Sequence, residues 1–499
     1  MILNFFYLNL YPLLIEFFLT LITCFCLIFG VIYSNSSFWQ FPILNKSIRF
    51  FILQGLICSF ILLLTTSPIF FMYWNNLLIT DSLSFYGKFL ILFFSIIWFF
   101  LFPTIKNILN FEFWILILLS IISLNLLLQA SDLLTIYLLI EFLSLTFYIL
   151  TSINRTSEFS TESGLKYFIL GAFASSLLLF GFTLLYNFTG LTNLQDFFIF
   201  FTGYSSSQQL NFAFPLSIFF ILTALLFKLG SAPFHFWIPD VYEGALNAIT
   251  SFFAILPKIA ILTLLLRFVF LVFGGYLFNE IYFFFIICTF LSSVVGTAGA
   301  LLQTKWKRFI AFSSITHISF FLLNLSSLNS DNLIYLLIYL LIYLLMSSSF
   351  FGFFAIFKNF KFPSFFTPRF FTSLVFLNFT NRPLAILFTI VFFTFAGIPP
   401  LPGFFAKFCV LYSAISSLFL FLVFNLLVLN CISCFYYINL IKKNYFISIN
   451  RFYLPITTTS VKQESLIIFI ILVLSLLFVF LDLDFVFLFS NLLRNAFLN

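Results

Sequence analysis

The sequence predicts an all-α polytopic membrane protein of about fourteen transmembrane helices, with two inverted five-helix repeats and two broken helices. Three observations carry this expectation: a composition too apolar for a water-exposed globule, a series of apolar runs separated by short polar breaks, and basic residues that gather in alternate connections. Of 499 residues, 63% are hydrophobic and 7% charged, where a soluble domain carries about a quarter charged residues. Roughly 314 apolar residues suffice for about fourteen spans at ~20 residues each. About 36 residues then remain for each span with its connection, so no soluble domain fits between them. The 88 Phe, against 3 Met and 17 Gly, read as lipid-facing bulk from a biased base composition in the encoding DNA.

The apolar runs fall at 10–33, 50–71, 84–102, 112–129, 131–152, 165–188, 212–232, 247–271, 281–302, 309–328, 332–357, 384–411, 417–440 and 465–490. The first follows MILNFFYLNLYPLLIEFF, which carries no Lys or Arg and so reads as neither a secretory signal nor an Arg-rich transit peptide. Three connections are long, 189–211, 358–383 and 441–464, and polar enough for surface segments. The expected division is a three-helix segment at 1–110, repeats at 111–275 and 276–440, and a loop with a final helix at 441–499.

Charge tests the count. Odd-numbered connections carry Lys46 and Arg49, Lys106, Arg155, then Lys305, Lys307 and Arg308, then Lys358, Lys361, Arg369 and Arg382, then Lys442, Lys443, Arg451 and Lys462. On the opposite side only Arg494 lies clearly outside a span. A miscounted span would scramble this alternation. Both termini are therefore expected on the side opposite the basic loops, and the net charge of +7 reflects topology and not nucleic-acid binding.

Six basic residues remain in or beside spans. Lys88, Lys166 and Arg267 are near span ends, where a long stem can snorkel to the interface. Lys166 also follows Glu162 by four residues, a ready helical ion pair. Lys228, Lys258 and Lys407 are deeper, as is Glu141 in LLTIYLLIEFLSLTFYIL. At about 2.5–3.5 kcal/mol per ionised side chain, four would cost roughly 10–14 kcal/mol in lipid. They must pair or face a hydrated interior, and one carboxylate for three lysines is too few for a static ion-pair network.

Helix breakers sharpen the point. Lys228 lies in FKLGSAPFHFWIP, just before Gly230, Pro233 and His235; Lys407 lies in FAGIPPLPGFFAKF, just after Pro399, Pro400, Pro402 and Gly403. Broken helices that place charge at mid-membrane are typical of transporters built from inverted repeats. Each lysine falls in the fourth span of a five-span unit, and an odd-numbered unit repeated in tandem must be inverted. A low-dielectric site loosens a lysine's proton while a nearby carboxylate holds it, so moving the carboxylate gates transfer. Glu141 with Lys228 is the natural input pair, Lys258 an intermediate carrier, and Lys407 a carrier towards the other side. Ser231, Ser144 and Thr250 could hold connecting water or simply bond back to their helices. His317, in AFSSITHISFF, could relay protons or donate to a backbone carbonyl.

Redox chemistry is excluded from the chain itself. Of seven cysteines only Cys431 and Cys434 form a CxxC, inside an apolar run, and two histidines are too few for two haems. No GxGxxG follows a strand pattern, so no cofactor or metal site is expected.

The stretches ESGLKYFILGAFASSLLLFGFTLLY, FKLGSAPFHFWIPDVYEGA, LLQTKWKRFIAFSSITHISFFLL and AGIPPLPGFFAKF resemble the subunit 2 family of mitochondrial NADH:ubiquinone oxidoreductase, respiratory complex I. The resemblance runs in order from about residue 110 to 440. It implies an antiporter-like membrane-arm subunit that translocates protons, bound to other membrane-arm subunits, a neighbouring antiporter-like subunit among them, and to lipids. It also implies that NADH, FMN, iron–sulfur clusters and ubiquinone are held by other subunits, in the mitochondrial inner membrane with basic loops in the matrix. The family's essential glutamate resembles Glu141 within IEFLSL, its broken-helix lysine Lys228, its eighth-helix lysine Lys258 within ILPKIAI, and its twelfth-helix lysine Lys407. Glu162, Lys166 and His235 match positions of lesser functional weight. The extreme Phe content departs from the family, and 1–75 and 441–499 match only in hydrophobic pattern. A multisubunit cation/proton antiporter would share the broken helices and lysines; a scaffold or lipid-modifying enzyme finds no motif in support.

Overall fold

Hydrophobic periodicity cannot distinguish an unbroken span from one made in two pieces, and this is where the structure adds most. It is a computed structural model that describes residues 10–34, 43–68, 70–103, 111–203, 213–272, 278–327, 330–357, 359–361, 364–366, 368–374, 377–446, 463–484, 486–488 and 490–491. Among these, 12 helices are long and apolar enough to cross a membrane. Two further crossings are broken, and together they make the fourteen expected.

The N-terminal segment comprises α1 (Leu14–Ser34), α2 (Ile43–Thr65), a hairpin of β1 (Phe71–Tyr73) with β2 (Leu78–Thr80), and α3 (Ser82–Leu101). Asp81 starts α3 by accepting from the Ser84 N–H at 2.8 Å while Ser84 reaches back, a reciprocal cap. The first five-crossing group is α4 (Glu112–Gln129), α5 (Leu133–Thr151), α6 (Glu158–Thr189), the broken pair α8 (Ala213–Leu229) and α9 (Trp237–Gly244), and α10 (Asn247–Arg267). A short helix α7 (Leu194–Gly203) occupies part of the first long connection and buries Phe197 and Phe201.

The second group repeats the order: α11 (Phe278–Leu301), α12 (Trp306–Ser326), α13 (Ser330–Ile356), the broken pair α14 (Arg382–Ala396) and α15 (Pro402–Ser416), and α16 (Leu420–Tyr445). A hairpin of β3 (Asn359–Lys361) and β4 (Ser364–Phe366) precedes the second break, and α17 (Gln463–Leu481) is the last long helix. Close packing uses small residues, as membrane interfaces do. A Cβ added at Gly181 of α6 would stand 3.0 Å from the Ser217 carbonyl oxygen of α8, and one at Gly296 of α11 would stand 2.8 Å from the Thr316 nitrogen of α12.

α10 is buried on every side from Ala248 to Arg267 and, Lys258 and Arg267 apart, carries no charge, the signature of a helix at the centre of a bundle. The N-terminal segment docks on it through Trp98, whose Nε1 donates to the Ala248 carbonyl at 2.9 Å and to Ser251 Oγ at 2.8 Å. In the second group Trp306 sits edge-on among Phe354, Phe371, Phe388 and Phe392.

Several boundaries differ from the sequence expectation. The run expected at 50–71 is a helix over Ile43–Thr65, so Lys46 and Arg49 lie in its first turns and not in a connection. The reason is local: Arg49 is buried, with its guanidinium donating to the Phe99 carbonyl at 3.2 Å and to that of Pro103. Lys307 and Arg308 likewise open α12, and Lys442 and Lys443 close α16, where cations complement the helix dipole. Lys106, Lys358, Arg451, Lys462 and Arg494 lie outside the described residues.

Candidate functional site

Two chain breaks generate the site. α8 stops because Gly230 adopts φ +81°, and the Gly230 and Ser231 N–H groups fold back on the Leu226 carbonyl at 2.8 and 3.1 Å. Pro233 cannot resume the ladder. The Phe227 carbonyl at the break accepts from the Gly230 N–H at 3.0 Å and also from Trp237 Nε1 at 2.8 Å, so the short helix α9 pins the end of α8. α14 ends in the same manner: Gly397 adopts φ +76° and the Ile398 N–H donates to the Phe393 carbonyl at 3.2 Å. Pro402 then opens α15 at the position where a missing N–H costs nothing.

Lys407, on α15, reaches back across its break. Its Nζ donates to the Phe395 carbonyl at 2.8 Å, the Ala396 carbonyl at 3.2 Å and Asn430 Oδ1 at 2.7 Å. The ammonium therefore caps the C-terminal carbonyls of α14, where the helix dipole favours positive charge, and uses no carboxylate. Lys228 stands on the other side of its own break, in the last turn of α8. Its Nζ has no hydrogen-bond partner among the described residues and faces a cavity lined by Ser144, Tyr167, Trp237, Tyr242 and Lys258. Lys258, in the buried centre of α10, donates to the Tyr343 hydroxyl at 2.5 Å. Pro257 precedes it and removes one backbone donor from that turn.

His317 of α12 lies between the two lysine regions, close enough to both Lys258 and Lys407 to interact electrostatically. Its Nδ1 is 2.7 Å from the Tyr339 hydroxyl, so its partner is a side chain and not a backbone carbonyl. A second cavity beside it is lined by Thr297, Thr316, His317, Lys407, Asn430 and Ser433.

Glu141 stands at the rim of this row. Ser144 Oγ donates to its Oε2 at 3.1 Å, and it interacts with Lys228 through space without forming an ion pair among the described residues. The expected input pair is thus a neighbouring pair and not a contact pair. Glu141 shares its face of α5 with Leu134, Leu138, Leu145 and Ile149, all exposed on this chain.

The other sequence candidates sort by position. Lys166 pairs with Glu162 at 2.7 Å, as expected, and with Asp240 of α9 at 2.9 Å, all on the surface. Arg308 joins Asp240 at 3.1 Å and, with Lys305, also engages Glu243, so this surface network ties the first group to the second beside the first break. His235 lies within the first break, half-buried, with Nδ1 unpartnered among the described residues. Thr250 bonds back to Asn247 and Ser231 to Leu226, whereas Ser144 reaches Glu141.

Lys88 and Arg267 correct the snorkelling expectation. Lys88 is buried with Nζ 2.5 Å from Glu16 Oε1, and Arg267 is buried and binds both oxygens of Asp81, at 2.7 and 2.9 Å. Their partners come from other helices, so the cheaper solution is pairing in the interior. Sequence reasoning also missed Tyr339, Tyr343 and Asn430. The repeat IYLLIYLLIYLL on α13 was the available signal, since it puts tyrosines four apart on one helix face. No group of three or more His, Cys, Asp or Glu that could hold a metal occurs among the described residues.

Fourteen crossings, two of them broken beside a buried lysine, define an antiporter-like membrane subunit. Residues 130–433 match the family described as NADH:quinone oxidoreductase/Mrp antiporter, transmembrane. The chain is 36% identical over 447 residues to NADH-ubiquinone oxidoreductase chain 2 of Marchantia polymorpha, covering 88% of this chain and 89% of that one. A chain of respiratory complex I from Thermus thermophilus superimposes with a TM-score of 0.77 at 25% identity, over 95% of this chain and 98% of that chain. A chain of the Mrp complex from a Dietzia species reaches 0.76 at 17% identity, over 96% of each, which is a likeness of fold. The chain belongs to the NADH-ubiquinone oxidoreductase chain 2 family, whose bacterial members are named subunit N.

Proposed function

We propose that this chain is a core membrane-arm subunit of a proton-pumping NADH:quinone oxidoreductase, moving protons through Glu141, Lys228, Lys258, His317 and Lys407 with intervening water. The observation that carries the reading is the series of three interior lysines with no carboxylate in contact with any of them among the described residues. A purely structural lysine at such depth would be expected to hold a fixed counter-charge, as Lys88 does. His235 stands where protons would reach the Lys228 cavity from one surface; Glu162 and Lys166 belong to the surface network beside it. The two five-crossing groups act as inverted units at 111–275 and 276–440, flanked by 1–110 and 441–499.

The exposed stripe around Glu141 supports a neighbouring antiporter-like subunit as the partner on that face, since an isolated glutamate facing lipid is expensive. The chain binds no redox cofactor: NADH, FMN, iron–sulfur clusters and ubiquinone belong to other subunits, and coupling reaches this one mechanically or electrostatically. The setting is the mitochondrial inner membrane, with basic loops in the matrix and both termini towards the intermembrane space. A cation/proton antiporter assembly is the competing reading, supported by the family description that both share and by likeness of fold. Blue-native electrophoresis of solubilised membranes separates the two. The chain should comigrate with NADH dehydrogenase activity; migration without that activity would reject the assignment.

A further inference from the structure

We propose that Tyr343 and Tyr339 carry the proton between Lys258 and His317, which makes α13 part of the conducting chain. The inference rests on the proton-transfer reading above and adds two residues to it. Tyr343 touches both ends of the gap: its hydroxyl is 2.5 Å from Lys258 Nζ, and its ring centroid is 5.4 Å from that of His317. Tyr339 is one turn earlier on the same face, with its hydroxyl 2.7 Å from His317 Nδ1. All four side chains are buried.

Bulk alone does not explain these tyrosines. The sequence fills space with 88 Phe against 21 Tyr, and the rings here pack against Phe320 and Phe321 as Phe would. The hydroxyls are what differ, and both meet a protonatable nitrogen.

The transfer balances without a charged tyrosine. The Tyr343 oxygen takes a proton from the Lys258 ammonium as its own O–H proton leaves for the Tyr339 oxygen, across a water where the hydroxyls do not touch. Tyr339 in turn gives its hydroxyl proton to Nδ1 of a neutral His317 that carries its hydrogen on Nε2. Lys258 ends neutral, His317 ends as imidazolium, and both tyrosines end neutral with their hydroxyls turned round. No buried anion forms at any point. Nε2 has no partner among the described residues, and His317 lines the cavity it shares with Lys407, which is the onward direction.

The test compares Tyr343→Phe, Tyr339→Phe and the double variant in the whole complex, reconstituted in vesicles at matched assembly, by NADH-driven proton uptake in H2O and D2O. Each single variant should lower pumping by about a hundredfold or more, the lower end of the range for a lost general acid–base group. Because the groups act in series, the double variant should be little worse than the worse single. The deuterium effect on pumping should rise, since transfer through the gap becomes limiting. Wild-type pumping in either single variant overturns the proposal, and so does lowered pumping with an unchanged isotope effect, which assigns the hydroxyls to positioning. Should Tyr343→Phe fail to assemble, Tyr343→His is read instead: pumping retained supports a relay, and pumping abolished in an assembled complex rejects it. Failure of the wild-type chain to join a pumping complex would reject the function itself and not this inference.

Discussion

Replacing Gly397 by Ala should silence proton transfer at Lys407 while Gly190→Ala should not, although both impose the same backbone strain. Gly397 adopts φ +76° and Gly190 φ +68°, and both close helices. An L-residue in that conformation costs about 1–2 kcal/mol, so both variants should reduce assembly to a similar degree. Their surroundings differ. A Cβ at Gly190 meets nothing within 4 Å, whereas one at Gly397 stands 3.1 Å from Lys407 Cδ and 3.2 Å from its Nζ. The lysine must move by a few tenths of an ångström, and its ammonium is fixed by three acceptors. Forfeiting one hydrogen bond to a charged group costs about 1.5–3 kcal/mol, roughly a 10- to 100-fold loss of the productive arrangement. The assay is NADH-driven proton uptake per assembled complex, with assembly read on blue-native gels. Gly397→Ala should fall within that range and Gly190→Ala should pump normally. Equal pumping in the two variants would refute the argument that the α14 terminus positions Lys407.

Two further predictions test the interior charges. Glu141→Gln should abolish most pumping, while Asp132→Asn should leave it nearly intact. Asp132 is the N-cap of α5, accepting from the Leu134 N–H at 2.9 Å, and Asn caps about as well. Nine residues at about 100° each put the two carboxylates on opposite faces of α5; equal losses at matched assembly would remove Glu141 from its role. In the N-terminal segment, Glu16→Gln should cost about 3–5 kcal/mol by leaving the Lys88 ammonium buried without its counter-charge. Glu16→Leu combined with Lys88→Met should recover most of that loss in thermal inactivation of the complex. A double variant as unstable as the single would mean that the pair does not provide the stabilisation assigned to it.

The number of crossings was legible because a bilayer demands about twenty apolar residues per span and sorts the basic connections. Both breaks were legible because Gly230 with Pro233, and Gly397 with Pro399 to Pro402, are incompatible with a continuing helix in any context. Lys228, Lys258, Lys407 and Glu141 stood out because charge is rare and costly in these runs. What the sequence concealed was partnership. Asp81 and Arg267 are 186 residues apart, and no periodicity links them, so Arg267 read as a snorkelling cation when it is a buried one. Arg49 read as a loop residue for the same reason: its acceptors are carbonyls on α3 and just beyond it. The α13 tyrosines were hidden differently, since Tyr in an apolar helix is indistinguishable from bulk until a neighbouring helix brings a nitrogen to its hydroxyl. The distance between Glu141 and Lys228 was equally illegible, because it depends on how α5 and α8 are set against each other and not on either sequence.

The central claim is that interior lysines give up and regain protons, and Lys407→Arg tests it most directly. Arg keeps the positive charge and the donors that cap Phe395, Ala396 and Asn430, but its pKa above about 12 forbids release of a proton. A lysine serving only to cap α14 would tolerate the change at small cost. The measurement is NADH-driven membrane potential and quinone reduction in vesicles holding the fully assembled complex. Both should fall sharply in Lys407→Arg, because a blocked proton step holds back a tightly coupled machine. Full pumping with Arg at this position would contradict the account, since Lys407 would then have no need to titrate.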